Sequence, residues 1–375
     1  MNTLLSPTNH HDPREQRMSE ILDKAANDTV NDTVQTLTKR ADANPQPATA
    51  VSTPATWRYH AWTLPAQARR ILRNLSLSIT GVLVFVLLWQ SAASHIDTSL
   101  GQFPGPAQVV SQIGNLTREY QQDQQRKADF YARQEARNAQ LLSADPNAEV
   151  RIRPYTGRPT FPRQILTSLT TVAFGFALAM LVAIPLGILC GLSENLYSAV
   201  NPIIQLFKPV SPLAWLPLVT MVVSALYIAE NPMFEKSFVT SAITVALCCL
   251  WPTVINTTVG VAGVDKDLIN VSRVIGLPPH THIWKIVLPS AIPLIFTGMR
   301  LSLATGWMVL IAAEMLAQNP GLGKFIWDEF QNGSSDSLSR IMVAVMVIGL
   351  IGLILDRLML ALQRRVSWDK QTVLR

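Results

Sequence analysis

An all-α protein that crosses a membrane several times is what the sequence predicts, and three observations carry it. Hydrophobic residues make up 49% of the 375 residues against 15% charged. They are not spread evenly, because residues 1 to about 70 are polar and most of the chain from Leu75 onward is apolar. The apolar part falls into runs of about 20 residues, the length a helix needs to cross the hydrocarbon core with every backbone polar group satisfied internally.

Taken in order, residues 1–56 are rich in Asn, Asp, Gln, Thr, Ala and Pro, a composition too polar to build a core, and read as a disordered tail. His10 and His11 have no further ligands near them and read as solvated. No short basic lead with an apolar core opens the chain, so the first span is expected to act as the insertion signal. Residues 57–73 interleave Trp57, Tyr59, Trp62 and Leu64 with Arg58, Arg69, Arg70 and Arg73, the pattern of an interfacial elbow. A first span over 74–94 follows, then a long external loop over 95–167, a membrane core over 168–365 and a short tail over 366–375. The six expected spans are Leu75–Ala93, Ser168–Leu192, Leu213–Ala229, Phe238–Val259, Pro293–Ala313 and Ile341–Leu362.

Charge sets the expected orientation. With both termini in the cytoplasm, Lys208, Lys266, Arg273, Lys285, Arg357, Arg364 and Arg365 fall inside. The short outward loops hold Glu230, Glu235, Glu314, Asp328, Glu329 and Asp336. The net charge of +6 therefore reads as a topology signal and not as a nucleic-acid surface. The long loop carries many basic residues on the outside, which long loops are free to do. Within it a turn at Phe103-Pro104-Gly105-Pro106 precedes a short helix over Ala107–Leu116, and a charged, glutamine-rich helix over about Thr117–Ala139 forms an insertion.

Inside the core, Gly187-Ile-Leu-Cys-Gly191 is a small-xxx-small pattern best used for packing within the chain. Cys190, Cys248 and Cys249 all lie in spans without metal or disulfide spacing, and read as packing residues. The run from Asn201 to Pro217 is so dense in proline that its helix must break, and broken backbone at membrane depth belongs beside protein or a water-filled cavity. Lys208, Pro209, Ser211, Pro212 and Trp215 are therefore pathway or gate candidates, and Arg300 joins them as a second cation at the inner end. Arg300 and Glu314, about 21 Å apart along one helix, do not pair.

The polar interruption from Asp265 to Arg300 is read as a helix started by Asp265 and Asp267 and stopped by Gly276. A second short helix then runs from Pro278 and Pro279 to Pro289. Gly276, Ile286, Leu288 and Pro289 at these offsets resemble the EAA loop of binding-protein-dependent ABC importers, with Asn270-Val271-Ser272 in place of Glu-Ala-Ala. The strings Phe207-Lys208-Pro209-Val210-Ser211-Pro212-Leu213-Ala214-Trp215-Leu216-Pro217 and Leu250-Trp251-Pro252-Thr253 resemble the permease subunit of nitrate importers. So do Ala312-Ala313-Glu314-Met315-Leu316, Gly321-Leu322-Gly323 and Leu355-Asp356-Arg357, and the likeness covers roughly Phe103 to Arg365 outside the insertion.

That resemblance implies a type I ABC importer transmembrane domain in the bacterial inner membrane. It implies a homodimer served by a periplasmic solute-binding protein and by cytoplasmic ATPase subunits that hold the ATP and Mg. It implies nitrate or nitrite as cargo, with bicarbonate, cyanate or an alkanesulfonate such as taurine as alternatives. Gly276, Leu277, Ile283, Trp284, Ile286, Leu288 and Pro289 would then form the coupling contact to the ATPase. The residues themselves agree in one respect: no phosphate-binding Gly-rich loop, nucleophile elbow or metal cluster is present in the sequence. The chain is thus expected to have no catalytic residue, metal or cofactor of its own and to draw energy from partners. A secondary transporter of a small anion remains the competing reading, although no internal repeat supports it.

Overall fold

The computed structural model describes residues 66–98, 101–145, 150, 152–228, 233–334 and 336–366. The tail expected over 1–56 with His10 and His11, the elbow residues Trp57, Tyr59, Trp62 and Leu64, and the residues after Val366 lie outside them. The chain divides into two units, Met1–Leu72 and Arg73–Arg375. Of the first, only the opening of helix α1 (Ala66–Ala93) is described, so the second half of the expected elbow is the start of that helix. Its membrane window, Leu75–Ala93, is exposed along most of its length, as a helix meant for a lipid environment is, with Trp89 half-buried and Ala93 buried at its end.

In the second unit a two-residue antiparallel pair, β1 (Asp97–Thr98) and β2 (Gly101–Gln102), turns the chain into α2 (Pro106–Ala144). The sequence reading expected a short helix and a separate charged one. Instead α2 runs unbroken for 39 residues, about 58 Å, because nothing between Leu116 and Ala139 breaks a helix. Its base buries Val109, Gln112 and Leu116, and the Trp89 indole donates to Pro104 O at 3.1 Å. The far half is braced by the returning chain: the Tyr155 hydroxyl donates to Asp123 at 2.9 Å and its ring lies 5.6 Å from Phe130. That hydrogen bond raises the Tyr155 phenol above its ordinary value of 10.0.

The core is a packed trio, α3 (Phe161–Leu192), α6 (Lys236–Ala262) and α9 (Leu288–Ala317), with α11 (Ser337–Val366) against its flank. α3 begins at Phe161, earlier than expected, because Pro162 suits a first helical turn. Val172, Ala179, Val245, Cys249 and Leu310 form its buried centre. Small residues let the backbones approach: a Cβ on Gly187 would lie 2.6 Å from that of Thr257, and one on Gly306 would lie 2.4 Å from Cys249 Sγ. The small-xxx-small pattern thus serves packing within the chain. Thr253 and Ser302 share a hydrogen bond of 2.7 Å, and Ser302 donates to Cys249 O, so helix contacts carry polar ties as well.

Among the described residues five helices are long and apolar enough to cross a membrane, or six if a bent pair counts as one span. The bent pair corrects the sequence reading of a single span over Leu213–Ala229. α4 (Glu194–Phe207) and α5 (Pro212–Leu226) meet at 100°, and α5 has 15 residues, about 22 Å, too short for a hydrocarbon core of about 30 Å. The cause is local, since Pro209 and Pro212 each lack the N–H that would continue a helix through the turn. A second correction concerns Glu314, Asp328 and Glu329, which were expected in outward loops. Glu314 sits inside α9, and the other two sit on α10 (Leu322–Asn332).

Candidate coupling loop and inner cavity

The interruption between α6 and α9 is built by local rules. Helix α7 (Lys266–Ile275) starts where the Asp265 side chain accepts the Asp267 N–H at 3.0 Å. It stops at Gly276, whose φ of 68° and ψ of 37° place it in the left-handed region. There Gly276 N–H donates to Arg273 O and Leu277 N–H to Ser272 O, closing the end of the helix. One turn of helix α8 (Pro279–His282) follows, then a π-turn over Ile283–Val287 and α9 without interruption. The second helix was expected to end at Pro289, and it does not. Leu288 N–H reaches back five residues to Ile283 O, and this wide turn carries the helix past a proline that has no N–H to give.

The expected coupling residues divide by exposure. Trp284 is 69% exposed, whereas Leu277 and Ile283 are half-buried. Ile286 and Leu288 pack inward against the cluster of Val261, Val264, Val287, Ala291 and Ile295. Apolar residues absent from the sequence expectation take the outer face instead: Val271, Val274 and Ile275 on α7 are exposed, Val274 by 89%. Their spacing is that of one helical stripe. A stripe in a sequence does not tell whether it is buried or presented, which is why only the structure finds it.

At the same end of the molecule a cavity of about 520 Å³ opens between one face of α4 and the last turns of α3 and α6. Glu194, Tyr197, Asn201, Gln205 and Lys208 line its α4 wall, and Ala262 and Gly263, three and two residues before Asp265, line the wall opposite. Of the gate candidates, Lys208 faces this space and, among the described residues, its ammonium has no hydrogen bond or ion pair. Pro209, Ser211 and Pro212 make the elbow between α4 and α5. Trp215 pins it, 5.5 Å from Phe207, which stacks on Trp251 of α6 at 6.2 Å. Arg300 is not free: its guanidinium grips the Asp356 carboxylate of α11 through two nitrogens. Lys208 is therefore the candidate cation left to meet an anion, because the pairing of Arg300 with Asp356 takes up the second cation expected at this end.

The opposite end holds a polar cluster that sequence reasoning passed over. Glu314 is 0% exposed, with Ser168 Oγ at 2.8 Å from both carboxylate oxygens and Gly323 N–H donating at 3.0 Å. Leu322 N–H donates to the same Ser168 hydroxyl at 2.9 Å, and Asn319 donates to Thr171. A Cβ on Gly321 would lie 2.1 Å from Glu314 Oε1, so the backbone lies directly against the carboxylate. The signal was present in the Gly321-Leu322-Gly323 string, but its partner Ser168 is 146 residues from Glu314 in sequence. Beside this cluster Arg340 of α11 pairs with Glu119 of α2 at 2.6 Å and lies 2.9 Å from the buried Glu329 of α10. Among the described residues no group of His, Cys, Asp and Glu could hold a metal ion.

A family model described as "Binding-protein-dependent transport system inner membrane component" matches residues 183–368. The nitrate import permease protein NrtB of Synechocystis is 42% identical over 203 residues, 54% of this chain and 69% of that protein. The bicarbonate transport system permease protein CmpB of Synechococcus elongatus is 31% identical over 301 residues, 79% of this chain and 91% of that protein. Among solved structures, one of the MetNI methionine ABC transporter in inward-facing conformations superposes with a TM-score of 0.49 at 14% identity, covering 55% of this chain and 95% of that one.

Proposed function

Because the chain belongs to the binding-protein-dependent transport system inner membrane components, in their nitrate and bicarbonate permease group, we propose that it forms, as a homodimer, the pathway of a nitrate importer. Membership makes it a non-catalytic subunit of an ABC importer, with ATPase and substrate-binding partners. In the proposed cycle a periplasmic binding protein delivers nitrate to the end that holds Glu314. ATP, with Mg, binds the cytoplasmic partners, draws the two coupling loops together and turns the pathway outward, and hydrolysis returns it. Both chain termini then lie in the cytoplasm, with the inner cavity.

The observation that carries this reading is the pairing, at one end, of an exposed, well-capped loop with a cavity whose lysine is unpaired. The apolar stripe of Val271, Val274 and Ile275, with Trp284, suits a groove on a cytoplasmic partner. It extends the coupling contact beyond Gly276, Leu277, Ile283, Ile286, Leu288 and Pro289. Lys208 suits a small anion released inward, because an ammonium facing a cavity attracts an anion at short range and Tyr197, Asn201 and Gln205 on the same wall offer hydrogen bonds. Bicarbonate is the second reading, favoured by the longer span of likeness to the CmpB protein.

The test is uptake by proteoliposomes holding the complete complex with ATP, offered labelled nitrate, nitrite, bicarbonate, cyanate or taurine. Preferential accumulation of nitrate is expected. Accumulation of bicarbonate with nitrate excluded overturns the cargo and keeps the machine. Uptake driven by an ion gradient without ATP overturns the machine.

A further inference from the structure

We propose that Ser272 and His282 form a latch that fixes α7 against α8 and thereby sets how much transport each ATP delivers. The inference rests on the coupling reading above. Ser272 stands at the last position of the Asn270-Val271-Ser272 triplet, and it is 3% exposed while its neighbours Val271 and Arg273 are exposed. It therefore points away from any partner that covers the apolar stripe. Its hydroxyl shares a hydrogen bond of 2.8 Å with His282 Nδ1 across the Gly276 turn.

The turn needs such a tie. A Cβ on Gly276 would meet nothing within 4 Å, so no side chain packs against the turn itself, and Ile269 ties only the start of α7 to the cluster around Val287 and Ala291. Pro278 and Pro279 have no N–H with which to cross-link the two helices. Among the described residues the Ser272 to His282 bond is the one side-chain hydrogen bond joining α7 to α8. On the far side His282 leads through the π-turn into α9 without a break. A partner that pushes on Val274 thus moves α9 the more fully the more firmly this end of α7 is held to α8. Without the latch the backbone of the turn alone joins Val274 and Ile275 to α8.

The test uses the complete complex in proteoliposomes and reads nitrate carried per ATP hydrolysed, beside the melting midpoint of the complex. Ser272→Ala and His282→Leu are each expected to lower the ratio about two- to tenfold, the net worth of one hydrogen bond, with ATP hydrolysis retained and the midpoint held. The double variant is expected to be no worse than either single one, because both remove the same bond. His282→Asn, whose amide sits where Nδ1 does, is expected to recover most of the ratio. Unchanged ratios in both single variants while Val274→Glu loses coupling would overturn the latch and leave the docking face standing. An unchanged ratio in Val274→Glu would overturn the docking face, and the latch with it.

Discussion

Replacing Gly321 by alanine is expected to unseat Glu314. The backbone of Gly321 has φ −112° and ψ −166°, a region open to any residue, so conformational strain is not the reason. The reason is space: the new Cβ would lie 2.1 Å from Oε1, 2.3 Å from the carboxyl carbon and 2.4 Å from Oε2. Each is far inside van der Waals contact, and the carboxylate must move or α10 must lift. Either movement breaks the contacts from Ser168 and Gly323. A hydrogen bond is worth about 0.5–1.5 kcal/mol, so two lost at this fully buried side chain cost about 1–3 kcal/mol. The melting midpoint of the purified protein is expected to fall by roughly 2 °C or more. Gly349→Ala is the control, because its Cβ meets nothing within 4 Å and alanine is the better helix former. The cycle with Glu314→Ala sharpens the result: once the carboxylate is gone, Gly321→Ala should add little. A Gly321→Ala protein as stable as the wild type, or equal costs with and without Glu314, would refute the close-contact argument.

Gly276→Pro, which demands a φ near −65° where the chain has 68°, is expected to abolish nitrate uptake while ATP hydrolysis continues and the protein still inserts; uptake within twofold of wild type sinks it. Lys208→Met is expected to slow nitrate transport roughly threefold to tenfold with no change in coupling per ATP, as measured by initial rates in proteoliposomes. Arg340→Met leaves the buried Glu329 without its cation and is expected to cost about 3–5 kcal/mol of stability, much of it recovered by adding Glu329→Gln in a melting experiment. Tyr155 is raised, so the brace on α2 is complete below pH 10.0 and loosens only as the pH climbs through the higher folded value. Difference absorbance titration against Tyr155→Phe should show one tyrosine ionising late.

Apolar run length was enough to place the spans at α1, α3, α6, α9 and α11, because a membrane demands that length whatever the packing. Proline density announced the break after Phe207, but not the partner it meets there, because Phe207 stacks on Trp251 of α6, 44 residues away, and that is a tertiary fact. The loop's start at Asp265 and stop at Gly276 were legible for the same reason they form, since both are decided within four residues. Which of its apolar residues face outward was not legible. Ile286 and Leu288 find Val261 of α6, whereas Val271 and Val274 stay exposed. Glu314 looked like a terminal charge because its donors, Ser168 and Gly323, come from two other helices.

The wide turn at Ile283–Val287 turns the loop and its span into one continuous rod, Pro279–Ala317, 39 residues and about 58 Å long. A lever of that kind has no slack where a loop would have absorbed motion. Compliance is concentrated near its lower end, at Pro289 and Pro293, where backbone hydrogen bonds are missing. Above that pivot lie Arg300, Trp307 and Glu314, anchored in turn to Asp356, to Ile348 O and to Ser168. A tilt imposed on Trp284 would therefore be carried along the rod past these three anchors to the end that holds Glu314.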